Sequence, residues 1–383
     1  MERVAVQSCD SYDNEVLANK LEQLSELLGG IENFVSPGQK VLLKVNLIMG
    51  KPPGAAVTTH PQLVKETAKI IQQAGGEVII GDSPGGLFNQ KSLKKVYQKS
   101  GMTDIAQELG IDLNYNTDSK KVEFPEGRVK KSFILGKYLT EADVIINMPK
   151  LKTHGMTMYT GAVKNLFGAI PGLLKGEYHL RMPRVDMFSE MLIDLAMLIK
   201  PTLNIMDAVT GMEGEGPSSG TPCDFNYILA GSSSMAVDIA GVFLMGINPL
   251  DRVPLLKKAN NFDGLPATLE DITVVGDKLK AASDINIPVI EKESNLIDLH
   301  LPQPFGKLAD FLLRPRPQFD YNKCVGCGDC VENCPVEAIE FDQNHNPGVE
   351  LQECIRCFCC QELCQYEAVD IKRPLLGRLL FGR

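Results

Sequence analysis

Over roughly the first 280 residues, short apolar runs alternate with segments of helical periodicity. Several of the apolar runs are almost uninterrupted, which is typical of strands covered on both faces. The runs that predict strands are RVAVQS, KVLLKVNLI, EVIIGDS, DVIINM, TLNIMDAV, NYILAGS and DITVVG. The segments that predict helices are 14–28, 61–73, 186–199 and 238–245. This alternation predicts an α/β fold with a mainly parallel sheet and helices on both faces.

The chain divides into four parts by composition. Residues 1–300 carry the alternation of strands and helices. Residues 301–319 contain four prolines and few β-branched residues, which predicts a linker with one helical turn in KLADFLL. Cysteines crowd into residues 320–372, which predicts a small separate domain. The basic and apolar tail, 373–383, is short for a membrane-binding helix, so we expect it to pack on the protein.

Composition and charge narrow the classes of function. Hydrophobic residues make up 44% of the chain and charged residues 23%, as in ordinary globular proteins. The net charge of −9 argues against a broad basic surface for nucleic acid. The beginning, MERVAVQSCD, lacks the apolar segment of a signal peptide, and Asp194 and Asp238 interrupt the longest apolar stretches. We therefore expect a cytoplasmic protein that neither spans a membrane nor binds nucleic acid.

Nine of the eleven cysteines lie between residues 324 and 364, and eight of them form two groups with the spacing C-x-x-C-x-x-C-x-x-x-C. CVGCGDCVENCPVEAIEF aligns with CIRCFCCQELCQYEAVDI without a gap, so the segment is an internal repeat. The spacing matches the bacterial ferredoxin run, in which the fourth cysteine of each group binds the other cluster. The predicted ligands are Cys324, Cys327, Cys330 and Cys364 for one [4Fe–4S] cluster, and Cys354, Cys357, Cys360 and Cys334 for the second.

The alternatives for these cysteines are a zinc site and a set of disulfides. Structural zinc pairs two C-x-x-C knuckles, and a third cysteine after two more residues fits that arrangement poorly. Residues 318–372 resemble the two-cluster bacterial ferredoxin domain, a small α+β fold, although Gln365 stands where the first repeat has Pro335. Cys359 lies outside the repeated spacing, and we expect a thiol beside the cluster rather than an exchanging ligand.

Glycine- and proline-rich segments follow several predicted strands, at 81–86, 149–155 and 210–222. Ligands of open α/β sheets bind beyond the carboxyl ends of the strands, so we expect these segments to line one cleft. The cationic candidates at a strand end and the following helix are Lys150, Lys152, His154 and Lys164. With helix amides they would bind a phosphate or carboxylate. The rival interpretation is that the lysines are solvated and the histidine is a hydrogen-bonded structural residue.

Other polar candidates interrupt or end the apolar strands. Lys44 and Asn46 lie in an apolar run, and a buried charge normally has a partner, which Asp82 or Asp207 could supply. Capping of a helix is the alternative role of these two carboxylates. Further candidates are Glu213, Glu215 and His60, whereas His179 and His345 are expected on the surface. We predict as catalytic residues Lys164, His154, Lys152 and Asp82, and as cofactor-binding residues Lys44, Asn46, Lys150 and Glu213.

The motifs DSPGG, PKLKTH, TGAVKNLFG and GMEGEGPSSGTP follow one another along the chain. Together they resemble the family called domain of unknown function 362, over about residues 1–290, which is often joined to a C-terminal ferredoxin module. A second resemblance, to the N-terminal domain of the lactate racemase family, rests on residues 160–164 and the following Pro171 and Gly172. That family uses a nickel-pincer nucleotide, which implies a further cofactor in the α/β domain, and Lys164 is the one residue carried over.

Two functions remain open at this point. In the first, two [4Fe–4S] clusters transfer electrons to or from the cleft, or to a partner such as a ferredoxin or flavoprotein, so that the protein is an oxidoreductase or an electron-transfer subunit. In the second, the α/β domain is an acid–base or anion-binding enzyme of the lactate racemase type, and the clusters are structural or redox-sensing. The chain has neither G-x-G-x-x-G after its first strand nor G-x-x-x-x-G-K-[ST], so classical NAD binding and P-loop hydrolysis have no support.

Overall fold

The structure is a computed structural model that describes residues 1–182, 184–288, 315–372 and 374. Its strands are β1 (Glu2–Ser8), β2 (Lys40–Val45), β3 (Glu77–Gly81), β4 (Asp112–Leu113), β5 (Ser119–Glu123), β6 (Ser132–Gly136), β7 (Val144–Met148), β8 (Lys150–His154), β9 (Met158–Thr160), β10 (Leu203–Glu213), β11 (Thr221–Gly231), β12 (Ile272–Gly276), β13 (Arg316–Phe319), β14 (Ile339–Phe341), β15 (Pro347–Val349) and β16 (Val369–Lys372). Its α-helices are α1 (Asn14–Leu27), α2 (Pro61–Gln73), α3 (Gln90–Lys99), α4 (Met102–Leu109), α5 (Lys137–Thr140), α6 (Ala162–Asn165), α7 (Leu174–Arg181), α8 (Val185–Ile199), α9 (Ser234–Leu244), α10 (Pro249–Arg252), α11 (Pro254–Ala259), α12 (Asp329–Glu332) and α13 (Cys359–Glu362).

One large sheet organises the α/β domain. Its strand order is β12, β1, β11, β10, β7, β2, β3 and β4, and β8 and β9 extend it beside β10. β11 runs antiparallel to β1 and β10, whereas β2, β3, β4 and β7 pair in parallel. β2 is buried at every position after Lys40, which explains its uninterrupted apolar run. The predicted mainly parallel sheet is therefore confirmed.

Helices cover both faces of this sheet. On one face, Leu17 of α1 and Leu63 and Ile71 of α2 pack against buried strand residues such as Leu43. On the other face, α6, α8, α9 and α11 form a second apolar layer, to which Leu192 contributes. Because each layer buries one side of the sheet, the carboxyl ends of the parallel strands remain as the accessible edge.

The predicted elements agree closely with the observed ones in the α/β domain. α2 has the predicted bounds, and α1 and α8 differ from theirs by one residue each. α9 begins at Ser234, four residues before the predicted start, because the side chain of Ser233 accepts a hydrogen bond from the amide of Ala236 and caps the helix. The segments 149–155 and 210–222 are not loops throughout, since they contain β8 and the paired ends of β10 and β11.

The cysteine module is a small α+β unit of two two-stranded antiparallel sheets, β13 with β16 and β14 with β15, and two one-turn helices, α12 and α13. β13 pairs with β16, so the module begins inside the stretch predicted as the linker, 301–319. The predicted helical turn at 307–313 and the tail from residue 375 onward lie outside the described residues. Among the helices that the structure describes, none has both the length and the apolar character needed to cross a membrane.

Candidate functional site

Eight cysteines of the module surround two small cavities, each of about 20 Å³. Those of the first cavity are Cys324, Cys327, Cys330 and Cys364, and those of the second are Cys334, Cys354, Cys357 and Cys360. These are the two sets expected from the spacing, with the fourth cysteine of each repeat exchanged between the cavities. Cys359, a ninth cysteine, also borders the second cavity. Four thiols around one small cavity are the donor set of a [4Fe–4S] cluster, so the residues present fit that group.

The two repeats share an unusual backbone, which brings the first three cysteines of each group around one point. Gly326 and Gly328 have φ values of 65° and 86°, and Arg356 and Phe358, at the matching positions of the second repeat, have 56° and 59°. This left-handed conformation is readily adopted only by glycine, so the second repeat holds it with ordinary side chains at a cost. The same tight turn in both repeats indicates that both loops are shaped for the same purpose.

The fourth cysteine of each repeat also has the same environment. The amide of Ala338 donates to Cys334 Sγ at 3.2 Å, and the amide of Ala368 donates to Cys364 Sγ at 3.3 Å. Gln365 replaces the proline of the first repeat without changing this contact. Loss of that proline therefore leaves the predicted ligand in place.

The arrangement argues against the two alternatives. A zinc ion needs four ligands at about 2.0–2.3 Å from one point. Within the described ranges, no three His, Cys, Asp or Glu side chains are arranged to hold a single metal ion. None of the eleven cysteines forms a disulfide. Thiols that surround a cavity instead favour a cluster, in which each thiolate binds a different iron.

The cysteine module packs against the carboxyl edge of the large sheet. Hydrogen bonds join the module to the α/β domain. Ser218 Oγ donates to the carbonyl of Glu362 at 2.9 Å, and Gln361 Nε2 donates to the carbonyl of Glu215 at 3.2 Å. Lys51 and Glu367 add an ion pair of 2.7 Å. Leu363 fills the notch left by Gly85, where an added Cβ would lie 2.1 Å from Leu363 Cδ2. The close approach of the module at this point therefore depends on glycine.

This packing encloses a cavity of about 100 Å³ between the α/β domain and the cysteine module, here called the interdomain cavity. The segments predicted to line one cleft all border it, through Asp82, Lys152 and Pro217 among others. The module contributes Asn333, Cys359, Glu362 and Leu363. Cys359, which does not belong to the repeated cysteine spacing, borders both this cavity and the second cysteine cavity, and so lies between the two.

Lys152 borders the interdomain cavity at the start of a hydrogen-bonded chain of asparagine side chains. Its Nζ donates to Asn46 Oδ1 at 2.7 Å and to the carbonyl of Val57 at 2.8 Å. Asn46 donates to Asn165 Oδ1 at 2.9 Å, and Asn165 donates to Asn147 Oδ1 at 2.8 Å. Sequence reasoning missed Asn147 and Asn165, because an amide in an apolar run carries no charge to mark it.

Burial changes the proton affinity of Lys152. Together with the nearby Lys164 and Lys150, it lowers the pKa of Lys152 to about 7. Two of the amine protons are already held by fixed acceptors, so the neutral amine keeps a lone pair that can accept a further proton. A lysine of this kind can act as an acid or base near neutral pH.

Lys164 lies on α6, and Asp238 holds that short helix in position. α6 begins after Gly161 and has no capping side chain of its own. Asp238 of α9 instead accepts hydrogen bonds from the first two amides of α6 and from the hydroxyl of Tyr159. Burial raises the pKa of Asp238 to about 7 in spite of these three donors. Sequence reasoning treated Asp238 only as a break in an apolar stretch.

The ammonium group of Lys164 differs from those of the other cavity lysines. Burial lowers its pKa, and Glu362 and Cys359 of the module oppose that shift. Within the described residues, no hydrogen bond or ion pair engages its Nζ. Lys175, in contrast, donates to the carbonyls of Ser83 and Ile170 at 2.8 and 2.6 Å.

His154 anchors the module rather than bordering the interdomain cavity. Its Nδ1 accepts hydrogen bonds from the amides of Met156 and Thr157 at 3.0 and 3.4 Å, so its proton belongs on Nε2. Nε2 lies 3.0 Å from Glu362 Oε1. Burial lowers the pKa of His154 to about 4, so the ring is neutral at pH 7.

His179 was expected on the surface, and that expectation was wrong. Its residue exposure is 5%, and it borders the interdomain cavity. Its ring stacks on Phe188 with centroids 4.4 Å apart, and burial lowers its pKa to about 4. A single histidine in a short polar helix carries no pattern that reveals burial. His345 is exposed, as expected.

Lys44 and Asp82 form a buried ion pair of 2.7 Å where β2 and β3 end. The second oxygen of Asp82 accepts from the amide of Leu47 at 2.7 Å, and Lys44 also donates to the carbonyl of Val45 at 2.9 Å. The partner expected for Lys44 is therefore present. Asp82 borders the interdomain cavity, and Lys44 lies behind it; the catalytic and cofactor-binding roles of these two residues stay predictions.

Lys150 and Asp207 form a second buried ion pair of 2.8 Å, which lies away from the interdomain cavity. Tyr12 donates to Asp207 at 2.7 Å and accepts from Lys150 at 2.9 Å. His60 stacks on Tyr12 with centroids 3.6 Å apart, and its amide donates to Asp207 at 2.9 Å.

Glu213 also lies away from the interdomain cavity and accepts from the amide of Asn286 at 2.8 Å. These contacts give the four sequence candidates of this group structural partners.

Comparison with known proteins agrees with this organisation. A family model described as "Domain of unknown function (DUF362)" matches residues 41–243, and a model described as "4Fe-4S binding domain" matches residues 317–340. The thylakoid-associated protein sll1697 of Synechocystis sp. (strain ATCC 27184 / PCC 6803 / Kazusa) is 35% identical over 277 residues, which cover 70% of this chain and 82% of that protein.

Two solved structures resemble the chain in part. The lactate racemase apoprotein from Thermoanaerobacterium thermosaccharolyticum has 14% identity and a TM-score of 0.39, over 64% of this chain and 58% of that one. A protein from Thermotoga maritima has 14% identity and a TM-score of 0.32, over 59% of this chain and 57% of that one. The match thus spans less than two thirds of either structure. On the family model and the cyanobacterial relative, the chain belongs to the DUF362 family and carries a 4Fe-4S binding domain at its C-terminus.

Proposed function

We propose that this protein is an iron–sulfur electron-transfer protein whose redox centres serve a ligand in the interdomain cavity. The observation that carries the proposal is the position of α13, which joins the second cysteine cavity to the interdomain cavity. Cys359 borders both, and Glu362 of the same helix turn borders the interdomain cavity. Two [4Fe–4S] clusters bound by the eight cysteines would supply one-electron transfer beside that ligand.

The chain's own residues provide the other requirements of such a site. Leu363 packs against Gly85 where the module meets the α/β domain, and so covers part of the interdomain cavity. Lys152 can hold or release a proton at Nζ near neutral pH. Cys327 is exposed, so the first cysteine cavity is the side at which a ferredoxin or flavoprotein partner would exchange electrons. We propose a cytoplasmic location for this exchange.

The test is anaerobic purification of the full chain, iron and sulfide analysis, and a redox titration followed by EPR. We expect about eight irons and eight sulfides per chain, and two interacting signals. Lys164→Met should lower the reduction potential of one cluster and not the other, because a nearby cation stabilises the more negative reduced state. Lys120→Met, at an exposed position that borders neither the interdomain cavity nor the cysteine cavities, is the matched control. Four irons per chain, or potentials that Lys164→Met leaves unchanged, would contradict the proposal.

A second candidate function is supported by Lys152, whose pKa of about 7 suits acid–base catalysis on a bound anion. In that case the clusters would be structural or redox-sensing. Cys327→Ser distinguishes the candidates: it should abolish turnover if electrons reach the interdomain cavity, and should spare turnover if Lys152 carries the reaction. Nickel or another metal besides iron in the purified protein would also favour the acid–base candidate.

A further inference from the structure

The interdomain cavity contains an excess of cationic groups. Lys152, Lys164 and Lys175 border it, together with the carboxylates of Asp82 and Glu362. Asp82 already forms an ion pair of 2.7 Å with Lys44, which does not border this cavity. Burial lowers the pKa of Lys152 and of Lys175 to about 7, so these two amines carry only part of their charge at neutral pH. Basic side chains still outnumber the one carboxylate that is not paired with a lysine, Glu362, and an anionic ligand would favour their charged forms.

Several polar groups that border the interdomain cavity have no hydrogen-bond partner among the described residues. They include Asn333 Oδ1, and two of them, Lys164 and His179, can donate. Within the described residues, the side chains of Lys164 and His179 make no hydrogen bond and no ion pair. His179 is only 5% exposed, and its stacking on Phe188 uses the faces of the ring and leaves the nitrogens free. Buried polar groups normally find a hydrogen-bond partner. These two point to a ligand that supplies acceptor atoms to both.

The size and lining of the interdomain cavity limit that ligand. One water molecule needs about 10–15 Å³ of such space, and an engineered cavity of about 150 Å³ accepts benzene. A volume of about 100 Å³ therefore suits a molecule of few non-hydrogen atoms and is too small for a nucleotide or a peptide. Phe167, Leu173 and Leu363 add apolar wall, which suits a ligand with a short carbon chain better than an inorganic oxyanion.

A route into the interdomain cavity is also present. An outer groove of about 400 Å³ adjoins it, and Gly85, Gly86, Asn333 and Leu363 border both spaces. Leu363 packs into the notch at Gly85 and so forms part of the partition. The outer groove is therefore the side from which a small ligand would reach the lysines.

We propose that the interdomain cavity binds a short-chain carboxylate, of about two to four carbon atoms, between Lys164 and His179. The ammonium group of Lys164 and a ring N–H of His179 donate to the carboxylate, and the carbon chain lies against Phe167 and Leu363. The further identification of this carboxylate as the electron donor or acceptor rests on the proposed function above, whereas its binding does not.

The test is isothermal titration calorimetry on the anaerobically purified full chain, in a buffer free of carboxylate and phosphate. The probes are acetate, propionate and pyruvate, with propionamide as the uncharged match and inorganic phosphate as an oxyanion without a carbon chain. The variants are Lys164→Met and His179→Phe, which keeps an aromatic ring on Phe188, and the control is Lys120→Met, which borders neither the cavity nor the outer groove. Thermal unfolding of each variant shows whether it is folded.

We expect at least one of the three carboxylates to bind, with affinity reduced about tenfold or more by Lys164→Met, as for loss of a charge-assisted hydrogen bond. His179→Phe should also weaken binding, and Lys120→Met should not. The proposal is overturned if no carboxylate binds, if propionamide or phosphate binds as well as the best carboxylate, or if folded Lys164→Met and His179→Phe both keep the wild-type affinity. If a carboxylate binds but Lys164→Met leaves the reduction potentials of both clusters unchanged, the proposed function is overturned and the proposal of this binding site stands.

Discussion

Replacement of Lys44 by methionine isolates the role of the buried ion pair at the ends of β2 and β3. The Lys44 side chain is completely buried and the Asp82 side chain is 4% exposed, so water cannot replace the lost partner. Methionine fills most of the lysine volume, and the change therefore removes a charge with little loss of packing. Asp82 is left as a buried carboxylate without a counter-ion.

The structure sets the size of the effect. Breaking a buried pair by removal of one partner costs about 3–5 kcal/mol. Asp82 keeps hydrogen bonds from the amides of Leu47 and Ser83, at 2.7 and 2.9 Å, so we expect a value of about 3 kcal/mol, at the lower end. At about 2–4 °C per kcal/mol for a domain of this size, the melting temperature should fall by about 6–12 °C.

The assay is differential scanning calorimetry of anaerobically purified protein, at one scan rate, for Lys44→Met, Asp82→Asn and the double variant. The double variant lacks both charges, so it leaves no buried charge without a partner. It should therefore recover at least half of the melting temperature lost in Lys44→Met. A fall of less than about 2 °C for Lys44→Met, or a double variant no more stable than Lys44→Met alone, would refute the reasoning that an unpaired Asp82 is the main cost.

Two further predictions concern residues that the interdomain cavity depends on. Lys152 has a pKa of about 7 in the folded protein against 10.5 as the ordinary value, so the unfolded chain binds its proton more tightly and stability should rise between about pH 7 and pH 10. The contribution of Lys152, up to about 1.4 kcal/mol per pH unit, should be missing from Lys152→Met, which keeps only the part of the rise due to other buried lysines such as Lys175. Parallel stability profiles of the two proteins would contradict the shift. Asp238→Asn keeps the side-chain size but places an amide N–H₂ against groups that donate, including the hydroxyl of Tyr159, so we expect a loss of about 2–3 kcal/mol in thermal unfolding. Asp251→Asn, at an exposed position, serves as its control, and equal melting temperatures for the two variants would show that Asp238 does not hold α6.

The elements of the fold were predictable because their signals are local. The period of apolar residues in α2 and the unbroken apolar run of β2 each follow from burial of one helix face or of both strand faces. The segment 149–155 was predicted as a glycine- and proline-rich segment after a strand, and four of the five residues of β8 within it are polar. β8 is buried at all five positions, and its lysines are stabilised by partners that are distant in the chain, such as Asp207 for Lys150.

The candidate site was predictable only in part, for the same reason. Lys152 and Lys164 stood out because charges near a strand end and a helix start are uncommon. His179 and Asp238 did not, since a lone histidine or aspartate has the same appearance on a surface and in a cavity wall. Their roles depend on α7 and α9, which lie near α6 only after the sheet and its helices have packed.

The sequence by itself determined the cysteine repeat, the grouping of its cysteines around two cavities and the alternation of strands and helices. These features depend on residue spacing within one segment, and spacing is a property of the chain. Only the tertiary structure decided that the cysteine module closes the α/β domain, that Cys359 borders two cavities, and that the side chain of Lys164 has no partner of its own. Those features depend on contacts across about 200 residues of sequence, such as that between Glu362 and His154, and no local pattern of apolar and polar positions specifies such contacts.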